Sequence, residues 1–291
     1  ADAMSRVSSG KTIGAFAMQM GPGAENAMGG VAQAFGDSVP ILVMPMGYTR
    51  GQAHVTPNFN SSLNFKHITK QTEPITSANE IPNVMRRAFT QLRNGRPGPV
   101  LVEIPADLFG EEVENFSYKP TLSTRSGPDP KEVGTVADVL MSAKNPVIYV
   151  GQGVHYAEAW PQLKRLAELL AIPVMSSLGG KSAFPEDHPL SLGSAGVAMS
   201  LPLHEFLHKA DVVFGIGCSF TETSFGVTMP KGPKIIHCTL EPTDLNKDVE
   251  ADYALIGDAA LTLDAVLEHV EKKLDGKPRD HNNVSQEIAS L

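Results

Sequence analysis

The sequence predicts an α/β protein made of two doubly wound parallel-sheet domains. Short apolar runs that are typical of buried strands alternate along the chain with segments of helical periodicity, and this alternation favours parallel sheets covered by helices. A stretch rich in Pro, Ser, Thr and Gly at residues 115–131 interrupts the alternation and indicates a linker. The length of 291 residues is enough for about two domains, each with its own core.

Composition narrows the class of protein. A hydrophobic content of 42% and a charged content of 19% are typical of a folded globular chain. The formal net charge of −8, without a basic run, argues against nucleic acid and anionic membranes as partners. No apolar run is long enough to span a bilayer. The two cysteines, Cys218 and Cys238, lack metal-ligand spacing and suit buried thiols in a reducing compartment, so we expect a cytoplasmic protein.

The first unit is predicted to contain three strands and two helices. A buried strand at 12–18 is followed by a Gly-Pro-Gly turn and a helical segment at 27–35. The remaining elements are a strand at 41–44, a helix at 81–92 and a strand at 99–104.

The second unit is predicted to alternate more regularly. Its expected helices are 130–142, 160–170, 201–208 and 259–273, and its expected strands are 147–150, 173–176, 212–216, 234–239 and 254–256. The tail at 274–291 is polar with one short helical stretch. In a doubly wound sheet of this kind, ligands bind beyond the carboxyl ends of the strands.

The turn at 21–26, Gly-Pro-Gly-Ala-Glu-Asn, is the first candidate site. It joins a strand to a helix, where glycine lets main chain approach a ligand and the helix N-terminus attracts negative charge. Asn26 offers both a hydrogen-bond donor and an acceptor. A tight structural turn explains the same pattern, so the residues alone leave both interpretations open.

Several motifs in order along nearly the whole chain resemble the thiamine diphosphate enzymes of the acetolactate synthase type. The turn at 21–26, the strand at 41–44 and the segment RPGPVLVEIPAD at 96–107 resemble the pyrimidine-binding domain of that family. The segments that resemble its central domain are PVIYVGQG at 146–153, AELLAIPV at 167–174 and GKSAFPEDHP at 180–189.

This resemblance implies a division of the chain. Residues 1–112 would be the C-terminal part of the pyrimidine-binding domain, which is therefore incomplete. Residues 113–130 would be a linker, 131–273 a Rossmann-like central domain, and 274–291 a tail toward an absent diphosphate-binding domain. The glutamate that activates the cofactor is expected before Ala1, and the magnesium site is expected outside this chain. We therefore expect a fragment that is inactive by itself.

The resemblance also implies a function for the parent enzyme, that of a transferase or lyase acting on 2-oxo acids or aldehydes. Pro22, Gly23 and Asn26 would form the wall that meets the aminopyrimidine of thiamine diphosphate. Because the family shares this cofactor across a subunit boundary, a homodimer or homotetramer is expected. Two alternatives stay open: a nucleotide-binding or structural module without catalysis, and one subunit of a split thiamine diphosphate enzyme.

The loop at 45–60 departs from the family pattern. A glycine-glutamine pair and a phenylalanine-glutamine-glutamate stretch border the active site in the family, and neither is clearly matched here. Gln52 and His54 are candidates to reach the substrate, with His54 a candidate acid–base group near neutral pH. A solvated loop histidine is the alternative. The identity of the substrate stays open for this reason.

A second candidate site follows the strand at 147–150. In acetolactate synthases the matched turn and strand ends bind flavin adenine dinucleotide (FAD), and the positions carried over by resemblance are Gly151, Gln152, Gly153, Ser177, Gly217 and Asp258. Two departures weaken this interpretation: Tyr156 stands at the third glycine position of a dinucleotide fingerprint, and Ser219 replaces an arginine of the flavin-binding members. An empty, structural central domain is the alternative.

Two acidic motifs have structural explanations as well. Glu241 is expected either to bind a ribose hydroxyl or to cap a helix. The pair Asp187-His188 is expected to belong to a rigid structural turn among prolines rather than to an acid–base pair.

Overall fold

The computed structural model describes residues 1–113 and 116–291, and the chain divides into two compact units, Ala1–Thr124 and Arg125–Leu291. The predicted linker, 113–130, includes Glu114 and Asn115, which lie outside the described residues. Within those ranges, every helix falls short of the length and apolar character that crossing a bilayer requires.

The first unit is a parallel sheet flanked by helices. In chain order its elements are α1 (Asp2–Val7), β1 (Gly14–Met18), α2 (Pro22–Gly36), β2 (Ile41–Gly47), α3 (Ser61–Asn64), β3 (Gln71–Pro74), α4 (Ile81–Arg93) and β4 (Val100–Pro105). Short 3₁₀ turns lie at Lys66–Ile68, Ala78–Glu80 and Ala106–Gly110. The strands run parallel in the order β1-β2-β4-β3, so their carboxyl ends share one edge of the sheet.

Helices cover both faces of this sheet. Alternate residues of a strand point to opposite faces, and in β2 the side chains of Ile41 and Val43 pack with α2 while Leu42 packs with α4. Phe65, which is fully buried, belongs to the α2 side, and Leu92 belongs to the α4 side. The doubly wound arrangement predicted for this unit is confirmed.

The prediction of a buried first strand is wrong for its middle. Within the described chain, β1 is one of the two edge strands of the sheet, and Ala15, Phe16 and Ala17 are exposed. Phe16 keeps 40% of its surface exposed. The apolar run predicted burial correctly only where a neighbouring element lies on both sides, as it does for β2.

The second unit is a larger parallel sheet. In chain order its elements are α5 (Pro130–Ser142), β5 (Pro146–Val150), α6 (Gly153–Tyr156), α7 (Trp160–Leu170), β6 (Val174–Ser176), β7 (Ser191–Ser194), α8 (Leu201–Lys209), β8 (Val212–Ile216), β9 (Lys234–Thr239), β10 (Tyr253–Ile256), α9 (Ala259–Leu274) and α10 (Asn282–Ser290). A 3₁₀ turn lies at Pro242–Asp244.

The strand order β10-β9-β8-β5-β6-β7 fixes where a ligand can enter. The chain starts at the centre with β5, winds outward through β6 and β7, returns to β8 beside β5 and winds outward the other way. Loops after β5 and β8 therefore leave the sheet in opposite directions and open a crevice between them. Helices α5, α7 and α9 pack on one face and α8 on the other, which confirms the doubly wound prediction.

Most elements lie where the sequence predicts them. The bounds of α5, α7, β8 and β9 coincide with the predicted ranges. The strands that the sequence analysis missed, β3 and β7, read QTEP and SLGS. Both lie at a sheet edge, where a strand does not need the apolar run on which the prediction relied.

Candidate functional site

The corner between β1 and α2 is shaped by main-chain geometry. Gly21 has φ +60°, a conformation that favours glycine, and Pro22 occupies the first helical turn, where its missing N–H removes no helical hydrogen bond. Glu25, in the same turn, is exposed, which suits a negative charge near a helix N-terminus. This turn chemistry explains why the helix begins earlier than the predicted range.

The three residues predicted to meet the thiamine ring lie together on this corner. Pro22 and Asn26 are exposed, and Gly23 is half-buried. A Cβ placed on Gly23 would lie 2.9 Å from the Cβ of Gln19, so only glycine keeps the main chain this close to the end of β1. The corner thus presents main chain, a proline ring and an amide side chain at the carboxyl edge of the first sheet.

Buried carboxylate contacts shape the neighbouring strand ends. Glu103 on β4 is 7% exposed and accepts hydrogen bonds from the amide (3.0 Å) and the hydroxyl (2.5 Å) of Ser62. A Cβ on Gly47, the last residue of β2, would lie 2.9 Å from the Cγ of Glu103. This contact fixes α3 to the sheet and requires glycine at the end of β2.

The loop after β2 carries the two predicted catalytic candidates. The side-chain oxygen of Gln52 accepts a hydrogen bond from the Thr49 hydroxyl (3.1 Å). The main-chain carbonyl of Gln52 accepts a hydrogen bond from the side-chain amide of Asn58 (3.0 Å). Gln52 is therefore engaged within its own turn. His54 is exposed on the same loop.

A residue that the sequence analysis missed holds this loop in place. Arg50 donates from its backbone N–H (3.1 Å) and its Nε (2.7 Å) to the carboxylate of Asp107. Its terminal nitrogens donate to the Glu111 carboxylate (2.5 Å) and the Thr76 carbonyl (3.2 Å). The guanidinium of Arg50 holds the pKa of Asp107 below its ordinary value. One side chain thus joins the loops that follow β2, β3 and β4.

Glycines line the crevice of the second unit where β5 and β8 end. A Cβ on Gly151 would lie 2.2 Å from the carbonyl oxygen of Gly217, and one on Gly217 would lie 2.7 Å from the amide nitrogen of Val154. After β6, a Cβ on Gly180 would lie 2.4 Å from the carbonyl oxygen of Val150. Such distances exclude any side chain, so main chain packs directly on main chain at this point.

Hydrogen bonds within the crevice already use several of its amides. Gly151 N–H donates to Ile216 O (2.9 Å), and Gly153 N–H donates to Gly217 O (2.8 Å). Val154 N–H donates to Gly151 O (3.2 Å). These donors hold the two turns together, so they are not directed at a phosphate group as in a dinucleotide fingerprint.

The other predicted nucleotide contacts also have structural partners. Gln152 is half-buried, and its amide donates to the Tyr156 hydroxyl (3.1 Å). The Ser177 hydroxyl accepts from the Gly180 N–H (3.0 Å) after β6. Both side chains lie at the mouth of the crevice beside Gly151.

Asp258 caps α9 at the other side of the sheet. Its carboxylate accepts from the amides of Ala260 (3.0 Å) and Leu261 (3.2 Å) and lies 3.7 Å from the Arg125 guanidinium. In the strand order it follows β10, three strands from β5, a separation of about 14 Å. A ligand that touches both Asp258 and Gly151 must therefore be elongated.

Two other acidic motifs prove structural. Glu241 accepts hydrogen bonds from the amide (3.1 Å) and the hydroxyl (2.9 Å) of Thr243 and caps the 3₁₀ turn, which confirms the capping interpretation. In the pair Asp187-His188, the imidazole Nε2 lies 3.2 Å from the Glu168 carboxylate. The predicted rigid turn agrees with this contact, because the histidine is tied to α7.

Burial disfavours the charged forms of the cysteine and tyrosine side chains near Gly217. Both thiols are free and buried, and burial raises the pKa of Cys218 and brings that of Cys238 to about 12. Burial also raises the pKa of Tyr149. These groups are protonated at neutral pH, so none is an activated nucleophile. Among the described residues, no group of three or more His, Cys, Asp or Glu side chains is arranged to hold a metal ion.

His237 is the most buried of the histidines that the structure describes in this region. It is 0% exposed, and its Nε2 lies 3.0 Å from the carbonyl oxygen of Cys218, to which a neutral ring donates. Its Nδ1 is buried without a hydrogen-bond partner among the described residues. Burial lowers the pKa of His237 and keeps the ring neutral.

Two family profiles match the chain. The profile described as "Thiamine pyrophosphate enzyme, N-terminal TPP binding domain" matches residues 1–73, which include the Gly21–Asn26 corner. The profile described as "Thiamine pyrophosphate enzyme, central domain" matches residues 133–266, which include the glycine-lined crevice.

The chain is similar to large subunits of acetolactate synthases. It is 32% identical to the isozyme 3 large subunit of Escherichia coli, over 92% of this chain and 48% of that protein. It is 35% identical to a probable large subunit of Methanocaldococcus jannaschii, over 82% of this chain and 42% of that protein. The chain spans about half the length of the curated relatives it matches.

Solved structures share its fold. Benzoylformate decarboxylase from Polynucleobacter necessarius aligns with a TM-score of 0.80 and 25% identity, over 97% of this chain and 53% of that chain. A putative thiamin diphosphate-dependent enzyme from Mycobacterium smegmatis aligns with a TM-score of 0.81 and 24% identity, over 96% of this chain and 55% of that chain.

The crevice glycines give the first prediction. Gly217→Ala combines left-handed strain with a collision, whereas Gly276→Ala brings only the strain, since Gly276 has φ +67° and open space around it. We expect Gly217→Ala to lower the free energy of unfolding by about 2–5 kcal/mol and Gly276→Ala by about 1–2 kcal/mol. Urea unfolding of the 291-residue chain, followed by fluorescence of its one tryptophan, Trp160, measures both. Equal losses would contradict close main-chain packing at Gly217.

The buried imidazole gives a pH prediction. Because the pKa of His237 is lowered in the folded state, the unfolded chain binds the proton first, and stability falls as pH drops below about 6.5. We expect His237→Gln, which keeps a donor for the Cys218 carbonyl, to lose less stability than the wild type between pH 7.5 and 5.5. The exposed His208→Gln should keep the wild-type pH dependence. The same urea unfolding checks this, and an unchanged slope in His237→Gln would contradict it.

Proposed function

We propose, on the premise that the chain belongs to the thiamine diphosphate-dependent enzyme family, that the whole protein makes or breaks a carbon–carbon bond next to a carbonyl group. Its substrates would be 2-oxo acids or aldehydes, as in an acetolactate synthase-like transferase or lyase. The two free, buried cysteines support a reducing compartment such as the cytoplasm.

The main-chain corner at the end of β1 carries this proposal. Gly23 is half-buried and carries no side chain, and Pro22 and Asn26 are exposed beside it. A flat heterocycle fits such a surface, because an aromatic ring packs closely on main chain and an amide side chain can both donate to it and accept from it. Pro22, Gly23 and Asn26 would therefore hold the aminopyrimidine of thiamine diphosphate.

The residues of this chain would bind and orient rather than react. Bound thiamine diphosphate supplies the nucleophilic carbon and the electron sink of such reactions. Asn26 would orient the ring through its amide. Gln52 and His54, both exposed on the loop after β2, remain candidates to contact the substrate.

The proposed assembly follows from the different parts of the cofactor that the corner and a diphosphate-binding region would hold. The magnesium ion that accompanies the diphosphate needs oxygen ligands such as carboxylates, and we propose that a diphosphate-binding region supplies them. The corner would face that region in a homodimer or homotetramer. A split enzyme with a separate diphosphate-binding chain is the alternative assembly.

A second proposal concerns the crevice of the second unit, which would take an elongated nucleotide such as FAD. The strand order favours it, because ligands of a doubly wound sheet bind where the loops leave in opposite directions. Gly151, Gly153 and Gly217 would pack on the ligand, with Gln152, Ser177 and Asp258 reaching its polar groups. Ser219 stands where flavin-binding relatives carry an arginine, and its hydroxyl lies 2.7 Å from that of Thr221. A structural crevice without a nucleotide is the opposing hypothesis.

Titration of the full-length protein with thiamine diphosphate and Mg²⁺ tests the first proposal. We expect saturable binding, and we expect Asn26→Ala to weaken it about 2- to 12-fold through loss of one hydrogen bond. Isothermal titration calorimetry measures both affinities. The matched control is Asn79→Ala, an exposed asparagine of the same unit. A wild-type protein that binds no thiamine diphosphate, or an Asn26→Ala variant with wild-type affinity, would overturn the proposal.

Denaturation of the purified full-length protein tests the second. We expect release of a compound that absorbs at the adenine wavelength, and flavin absorbance as well if the ligand is FAD. Ser219→Arg should tighten FAD binding about 10- to 100-fold by adding a bidentate donor for the diphosphate. Ser219→Lys, which adds charge without the planar fork, should gain less. If neither wild type nor Ser219→Arg binds FAD or releases nucleotide, the crevice is structural.

A further inference from the structure

Tyr48 lies directly beside the proposed thiamine corner. In the first sheet, Met18 of β1 pairs with Pro45 of β2, and the chain continues three residues from each partner to Gly21 and Tyr48. A Cβ placed on Gly21 would lie 3.1 Å from the Tyr48 hydroxyl oxygen. The phenol therefore reaches the main chain of the corner itself.

The Tyr48 hydroxyl has unused hydrogen-bonding capacity. Within residues 1–113 and 116–291, no group donates a hydrogen bond to it or accepts one from it. The ring is half-buried, so its position is restricted although its hydroxyl is unsatisfied by protein. A phenol offers one donor, an acceptor and an aromatic face, which suits a polar heterocycle.

Arg50, two residues further along, makes the position of this side chain rigid. Its contacts with Asp107, Glu111 and the carbonyl of Thr76 span the loops that follow three strands. The pair with Asp107 is more than a third exposed on the arginine side, so it adds little to overall stability. Its geometric effect is larger, because a planar guanidinium with several partners allows the loop few orientations.

We propose that Tyr48 is a positioning residue for thiamine diphosphate and that Arg50 acts through it. The Tyr48 hydroxyl, which lies beside Gly21, would hydrogen-bond to the edge of an aminopyrimidine held at this corner. The Arg50 contacts fix the loop from which Tyr48 projects. This inference rests on the proposed function of the corner, and it assigns to this chain a polar contact that the sequence analysis did not identify.

The test is the affinity of the full-length protein for thiamine diphosphate with Mg²⁺, measured by calorimetry beside the KM for the 2-oxo acid substrate. We expect Tyr48→Phe to weaken cofactor binding about 2- to 12-fold while KM changes less than twofold. Tyr48→Ala should weaken it further, since the ring is also lost. Tyr253→Phe, on β10 of the second unit, makes the same chemical change away from the corner and should bind like wild type.

The arginine is tested in a double-mutant cycle. We expect Arg50→Lys to weaken cofactor binding on its own and to have little further effect in the Tyr48→Phe background, because its effect passes through the hydroxyl. Arg87→Lys, an exposed arginine paired with Glu73 in the same unit, is the control and should leave the affinity unchanged. If the fold losses in affinity of the two single variants multiply in the double variant, the assignment of Arg50 is overturned.

The outcomes distinguish the role of Tyr48 from the proposed function of the corner. A wild-type protein that binds no thiamine diphosphate overturns the function of the corner and this inference together. A wild-type protein that binds the cofactor, with Tyr48→Phe equally tight, overturns only the role of Tyr48. A Tyr48→Phe variant with wild-type cofactor affinity and a raised KM would place the phenol on the substrate instead, which also overturns the role proposed here.

Discussion

The parallel direction of the described strands is the constraint on which both candidate sites depend. Parallel pairing brings the carboxyl ends of neighbouring strands to one edge of each sheet, so the loops that follow them meet without any direct sequence relation. The proximity of Gly21 and Tyr48 arises in this way, because each lies three residues after a member of the paired positions Met18 and Pro45. The contact between Gly151 and Gly217 has the same origin at the ends of β5 and β8.

The two edges use this convergence differently. In the second unit, glycine turns pack on each other so tightly that the amides of Gly151 and Gly153 are satisfied internally. A ligand there would have to be recognised by side chains such as Gln152. In the first unit, Gly21 is buried beside the Tyr48 phenol, whereas Pro22 and Asn26 of the same corner are exposed. Exposed side chains are therefore available to a ligand at the first edge, whereas Gln152, Ser177 and Asp258 at the second edge already have structural partners.

Local sequence patterns predicted the elements of the fold more completely than the contacts of the sites. The periodicity of α7 and the apolar runs of β8 and β9 fixed their bounds, because both signals come from burial on a repeating face. Strands β3 and β7 lack such runs and were missed. The exposure of Phe16 was mispredicted for a related reason, since hydrophobicity alone does not say whether a neighbouring element is present.

The site residues show the same limit more sharply. Pro22, Gly23 and Asn26 could be proposed as site residues because they lie together in one turn that resembles a turn of the family. Arg50 was not, because its partner Asp107 is 57 residues away and only the parallel order of β2 and β4 brings them together. Tyr48 was missed because its significance depends on register, which a single strand pattern does not reveal.

The distribution of ionisable groups explains how such a chain could serve a cofactor enzyme. Cys218, Cys238 and Tyr149 are kept protonated by burial, and His237 is kept neutral. These groups stabilise a scaffold and do not attack a substrate. The exposed amide of Asn26 at the corner can orient a ligand but is a weak nucleophile. If the whole protein carries out the proposed carbon–carbon bond chemistry, the reactive carbon arrives with the ligand, and the residues of this chain orient that ligand.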